Sequence, residues 1–230
     1  MSKAASRFEI LTEIVRKELS SSSHDFEHVM RVHRLCLLLA KDDPNVDLDV
    51  LRAAALLHDI GRVKEDQDNS GNTDHAALSA NMAETILMGL GESEELIKHV
   101  KHCILSHRFR SSVEPETEDA RILFDADKLD AIGAIGVARC FMLAGEYGES
   151  MFSEQSLDDY IRQNLVDGKP DGRVKDITKH SPNLEFEIKL RHIPERLYTG
   201  KARNIANDRI RIMDEFFTRL RDEIAGDMAL

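Results

Sequence analysis

Apolar residues return at helical spacing along nearly the whole chain, and no alternating strand pattern extends beyond a few residues. A chain patterned this way has no half-buried sheet to build; it must bury helical stripes against other helices. An aromatic share of only 5%, with no tryptophan, points the same way, toward a Leu- and Ala-rich helical core rather than a β-sandwich. A length of 230 residues suits one domain with a sizeable core. The expected fold is therefore all-α, a single domain over 1–230. Its core covers about 20–145, a loop-rich excursion about 146–182 and a C-terminal helical part about 183–230.

Ser20 to Ser23 supply N-caps for a predicted helix from about His24 to Lys41, which Pro44-Asn45 ends. Leu48 to Ile60 is almost continuously apolar, so that helix is expected to be surrounded by others. Gly61 is a stop signal, and Lys64 to Thr73 reads as a polar loop. Further helices are predicted over His75 to Met88, Glu92 to Ser106, Glu118 to Lys128 and Leu129 to Gly145. One short helix is expected around Leu157 to Leu165. A last long helix from about Arg203 to Ile224 carries a stripe at Ile205, Arg209, Ile212, Phe216, Leu220 and Ile224.

A net charge of −11 argues against nucleic acid as a partner. A small phosphorylated substrate would need local positive charge from a metal or clustered Arg and Lys. The three scattered cysteines, Cys36, Cys103 and Cys140, form no C-x-x-C pair and read as buried thiols in a reducing compartment. No hydrophobic signal core opens the sequence and no apolar run is long enough to span a bilayer. The expectation is a soluble cytoplasmic protein without a membrane partner; an oligomer is compatible with apolar residues near the terminal helix.

The chemistry centres on Leu56-Leu57-His58-Asp59-Ile60-Gly61. A carboxylate at the end of so apolar a helix is desolvated unless it has a strong partner. The dipeptide alone also fits a plain helix C-terminus, with His58 at the negative dipole end and Asp59 in a turn. Three other stripes add to it. His24, His28, Val32, Leu35 and Leu39 share one face, which turns His28 inward and leaves His33, rotated about 140° away, outward. Leu96, Val100, Cys103 and His107 form another inward stripe, with His102 off it. Leu123, Asp127, Asp130 and Ala134 form a third, with Asp125 pointing away. Inward His28, His58, Asp59 and Asp127 on separate helices have the look of a metal centre inside a bundle.

His28, the His58-Asp59 doublet and Asp127 reproduce the H…HD…D pattern of HD-domain phosphohydrolases, in the local HDIG form. The run from His24 to Val32, and Leu184 to Phe217 with Lys189-Leu190, Thr199, Ala202-Arg203 and Arg209, resemble stand-alone bacterial members. Some of that branch split nucleoside triphosphates into monophosphate and pyrophosphate. The resemblance implies a helical bundle of the HD type in which His28, His58, Asp59 and Asp127 bind one divalent ion. Two imidazoles and two carboxylates suit Mn²⁺, Fe²⁺, Co²⁺ or Ni²⁺ better than Mg²⁺ or structural Zn²⁺. Such an ion polarises a phosphoryl oxygen and activates water for attack on phosphorus.

Some members hold a second ion with two more histidines, for which His75 and His107 are placed; otherwise both line the substrate pocket. Asp130, one turn after Asp127, orients a ligand histidine or accepts a proton. His24 donates to a leaving group or is a satisfied core histidine, and Arg31 clamps phosphate or makes an inter-helix salt bridge. Arg62 contacts ligand or caps the turn. Lys98, Lys101, His102, Arg108 and Arg110 form the densest basic cluster, a binding rim or a solvated face. Arg203 and Arg209 contribute if the terminal helix closes over the pocket, as the resemblance implies. The expected activity is metal-dependent hydrolysis of a small phosphorylated molecule, a nucleotide by preference. The alternatives are a cyclic nucleotide phosphodiesterase and a metal-containing binding module without turnover. A di-iron redox centre would require the second ion. The sequence lacks the Gly-Tyr-Pro signature of the cyclic-di-GMP-degrading branch.

Overall fold

Burial of the Leu48–Ile60 run organises the first part of the molecule. The computed structural model describes residues 3–19, 26–68, 74–109, 113–170 and 172–227, and it divides into two compact units, 1–127 and 128–230. The first is built from α1 (Lys3–Glu18), α2 (Phe26–Leu39), α3 (Leu48–Leu57), α4 (Arg62–Asp66), α5 (His75–Gly89), α6 (Glu94–Ser106) and α7 (Glu118–Asp130), whose last three residues belong with the second unit. Helix α3 packs against α1, α2, α5 and α6. Val50, Leu51 and every residue from Ala53 to Leu57 are buried, which is why no polar face interrupts that stretch. Burying each of its leucines is worth roughly 1.5–3 kcal/mol.

A capped helix start ties α3 to the first turn of α7. The Asp47 carboxylate accepts from the backbone N–H groups of Asp49 and Val50 at 2.9 and 3.2 Å. The Asp47 backbone N–H in turn donates to Asp119 Oδ1 at 2.8 Å, and Asp119 is buried in the first turn of α7. Asp74 caps α5 and Ser93 caps α6. At the HDIG turn the glycine has a steric reason. A Cβ on Gly61 would meet Ser79 N and Leu78 Cγ at 3.0 Å, and the Gly61 N–H donates to Ser79 Oγ at 2.9 Å. Glycine lets the turn after α3 sit directly on α5.

The second unit holds α8 (Gly133–Tyr147), α9 (Leu157–Asn164), α10 (Pro182–Ile188) and α11 (Gly200–Ala225), with short 3-10 turns at Val166–Gly168, Ile177–Lys179 and Leu190–Arg196. Helix α11 packs on α8. Gly133 adopts φ +80°, and a Cβ there would strike the Arg209 side chain. Tyr160, Leu165 and Leu184 make a small core beneath α9 and α10. Among the described residues no strand occurs beyond one isolated bridge, Leu165 to Val174, and no helix is long and apolar enough to cross a membrane. Cys36, Cys103 and Cys140 are buried and unpaired by disulfides.

Several sequence expectations are corrected. Helix α1 has no counterpart among the predicted helices, and its Phe8 ring lies 4.9 Å from His33; His33 is therefore buried rather than outward. Asp125 is fully buried, because α7 buries Ala120, Ile122, Leu123, Phe124 and Ala126 around much of its circumference. In α6 the inward position belongs to Ile97, not Leu96. The start of the expected polar loop, Lys64 to Asp66, is helical. In α11 the buried stripe is Ala202, Ala206, Met213 and Phe217, while Ile212, Phe216 and Ile224 stay exposed. Ser20–Ser23, His24 and Arg110 lie outside the described residues.

Candidate metal centre

Three helix ends and two helix faces of the first unit bring five side chains together around Asp59. His28 comes from the inner face of α2, His58 and Asp59 from the turn that ends α3, and Asp127 from α7. His75 is the first residue of α5 and His107 follows the last residue of α6. His28 Nε2 lies 3.7 Å from Asp59 Oδ2 and 3.4 Å from Asp127 Oδ1, and His58 Nε2 lies 3.8 Å from Asp59 Oδ2. On the other side, His75 Nε2 and His107 Nε2 lie 3.5 and 3.6 Å from Asp59 Oδ1. The four imidazoles and Asp59 are buried, and neighbouring rings are 5.3 to 5.4 Å apart between centroids.

The outer nitrogens show what the inner ones are for. His58 Nδ1 donates to the Ala55 carbonyl at 2.9 Å, His107 Nδ1 to the Ile104 carbonyl at 2.5 Å, and His75 Nδ1 to Glu65 Oε2 at 2.7 Å. A carbonyl or carboxylate only accepts, so the proton of each ring sits on Nδ1 and the Nε2 lone pair faces inward. His58 Nε2 and Asp59 Oδ1 are buried with no hydrogen-bond partner. Burial without a donor is costly for such atoms. The inward gaps of 3.4 to 3.8 Å are too long for good hydrogen bonds and fit acceptors gathered about a shared cation. The donor set passes that test in two groups, His28–His58–Asp59 and Asp59–His75–His107, with Asp59 common to both.

Electrostatics supports the same protonation pattern. Burial pushes the His58 pKa down to about 4 against the pull of the Asp59 and Asp127 carboxylates. Burial also lowers His75. Burial alone would raise the Asp59 carboxyl, but the His58, His107 and His28 imidazoles outweigh it and hold Asp59 well below the usual carboxylate range. A neutral imidazole and an ionised carboxylate are the forms that bind a metal ion.

The remaining sequence candidates are distributed more widely. Arg62 pairs with Glu65 at 2.9 Å; its contact with His75 Nδ1 at 3.0 Å joins two donors, so Glu65 is the true acceptor for both. Arg108 reaches Asp74 at 3.0 Å and Glu65 at 3.7 Å. Arg31 lies 3.9 Å from Glu27 one turn back on α2. Lys101 is engaged by Glu84 across α5 and α6 at 2.5 Å, and Lys98 is exposed. His102 Nε2 accepts from the Glu116 N–H. In the second unit, Asp130 is buried near Arg139 at 3.7 Å, Arg209 donates to the Leu129 carbonyl, and Arg203 donates to the Leu197 carbonyl at 2.6 Å. Glu65 escaped the sequence reading. Its one available signal was the i, i+3 spacing from Arg62, which only a helix there would make meaningful.

The comparisons with known proteins agree with this geometry. The HD domain family matches residues 25–132. YpgQ of Bacillus subtilis (strain 168), an uncharacterised protein, is 30% identical over 210 residues, covering 90% of this chain and 87% of its own. The crystal structure of YpgQ in complex with ADP superposes with a TM-score of 0.71 at 24% identity over 96% of this chain and 97% of that one. An HD-superfamily hydrolase from Bacillus thuringiensis gives a TM-score of 0.70 at 24% identity, over 97% and 99%. The 3′-5′ exoribonuclease YhaM of Bacillus pumilus is 28% identical over 159 residues, 61% of this chain, which spans about half the length of that relative. With the H…HD…D residues gathered in one centre inside an all-α fold, this chain belongs to the HD-domain family.

Proposed function

We propose that this protein is a cytoplasmic, divalent-metal-dependent phosphohydrolase acting on a small nucleotide. The observation that carries the proposal is the single Asp59 carboxylate flanked on both oxygens by inward-facing imidazole nitrogens. His28, His58, Asp59 and Asp127 would hold one ion, and Asp59, His75 and His107 a second. The imidazole-rich set favours Mn²⁺, Fe²⁺, Co²⁺ or Ni²⁺ over Mg²⁺. Ions in this place supply Lewis acidity toward a phosphoryl oxygen and a water made acidic enough to attack at neutral pH.

The chain's own residues do the rest. The tethered Nδ1–H groups keep His58, His75 and His107 from turning, and burial disfavours the protonated forms of His58 and His75. Arg62 and Arg108, beside His75 and His107, set positive charge against the phosphate chain, with Arg31 a further phosphate partner on α2. His24 is retained as a candidate proton donor. The ADP complex of YpgQ supports a nucleotide as ligand. The net charge of −11 favours a free nucleotide over a long polyanion, and three reduced, buried thiols suit a reducing compartment.

The test is incubation of the Mn²⁺-loaded protein with nucleoside di- and triphosphates in ¹⁸O-water, read by ³¹P NMR. Release of orthophosphate or pyrophosphate, with label in a phosphorus product, is expected. Turnover of a cyclic nucleotide alone would select the phosphodiesterase alternative, and release of mononucleotides from RNA alone the exonuclease one. Ion binding with no turnover of any of these would leave a binding module and overturn the proposal.

A further inference from the structure

Of the three tethered imidazoles, two solve their orientation locally. His58 and His107 stand at helix C-termini, within reach of the carbonyl three residues back, and each uses it. His75 has no such resource. It opens α5, where the free backbone groups are N–H donors rather than acceptors. Its ring N–H needs an acceptor from elsewhere in the chain.

We propose that Glu65 is the positioning residue of His75, fixing which ring nitrogen carries the proton and aiming Nε2 at Asp59. The carboxylate grips the residue twice. Oε2 accepts the ring Nδ1–H at 2.7 Å, and Oε1 accepts the His75 backbone N–H at 3.4 Å. Arg62 at 2.9 Å and Arg108 at 3.7 Å hold the carboxylate from its other edges. A carboxylate in this place also makes the opposite nitrogen a stronger electron donor than a carbonyl would. The inference rests on the reading that Asp59, His75 and His107 hold an ion, but its first readout needs none.

In metal-free, ¹⁵N-labelled protein, long-range ¹H–¹⁵N spectra report the tautomer of each histidine; the His75 signals are those lost in His75→Gln. Wild type is expected to show Nδ1–H. Glu65→Met, of the same length but with no acceptor, should move His75 toward Nε2–H, while Glu65→Gln, whose amide oxygen still accepts, should retain the wild-type tautomer. Glu65→Ala takes the place of the Met variant if that one does not fold. In Mn²⁺ titrations followed by EPR, Glu65→Met should weaken one of two ions by about 10–100-fold and spare the other. An unchanged Nδ1–H tautomer in Glu65→Met overturns the inference, because an ion pair that only braces the fold leaves the ring proton where it is. If the tautomer shifts but wild type binds a single ion, the positioning role stands and the two-ion reading fails.

Discussion

The two sides of Asp59 are built by different means. The Oδ2 side draws His28, His58 and Asp127 from faces and ends of long core helices. Its side chains follow from where hydrophobic stripes turn. The Oδ1 side draws His75 and His107 from helix termini that border polar segments, and it depends on individual pins, Gly61 to Ser79 and Glu65 to His75. One half of the centre is a by-product of core packing; the other is assembled from specific polar contacts. The halves should therefore fail separately, except at the residue they share.

The largest effect is expected where they meet. Asp59→Ala should remove both ions by metal analysis and lower turnover about 1000-fold or more, the scale of several kcal/mol of charge stabilisation. His58→Ala and His107→Ala should each leave one ion bound, on opposite sides. Wild-type turnover in Asp59→Ala, or loss of both ions in His107→Ala, would break the comparison.

A subtler probe is Gly61→Ala. The added methyl meets Ser79 N and Leu78 Cγ at 3.0 Å, so α5 must give way. A stability loss of about 1–2 kcal/mol in urea unfolding is expected. The accompanying loss of ion affinity should be confined to the His75–His107 side; an equal loss on both sides would show that the turn does not discriminate between them.

The smallest effect tests a buried histidine belonging to neither side. Burial, then Arg52 and Arg34, lowers the His33 pKa to about 4, below the ordinary value near 6.5. The unfolded chain binds this proton first, so the stability tied to neutral His33 is complete above about pH 6.5 and is lost as pH falls through about 4. Metal-free wild type should lose about 1–2 kcal/mol more than His33→Leu between pH 7 and pH 4, allowing for solvent screening. Parallel stability curves would contradict it.

These contrasts also explain what was legible in the sequence. The all-α architecture and the convergence of His28, His58, Asp59 and Asp127 could be read because helical period and motif order act together. His107 was visible as the end of an inward stripe. His33 and Asp125 were misjudged because one stripe per helix is a single-face rule, and α2 and α7 bury more than one face. In α11 the stripe was drawn through the large apolar residues, whereas two alanines occupy the buried line. Glu65 was not seen at all. A hydrogen bond between residues ten apart, reaching from one short helix to the start of the next, leaves no period behind.

The hydrogen bond between the starts of α3 and α7 carries a consequence of its own. Asp47 and Asp119 join those helices at their first turns, while Asp59 lies beyond the far end of α3, about 15 Å along the helix, and Asp127 about 12 Å along α7, at 1.5 Å per residue. The link thus serves as an alignment gauge, setting how far each helix has travelled when its carboxylate arrives. A fault at Asp119 would reach the centre around Asp59 as a slip in register, with each of its side chains still in place in the sequence and none of them touched.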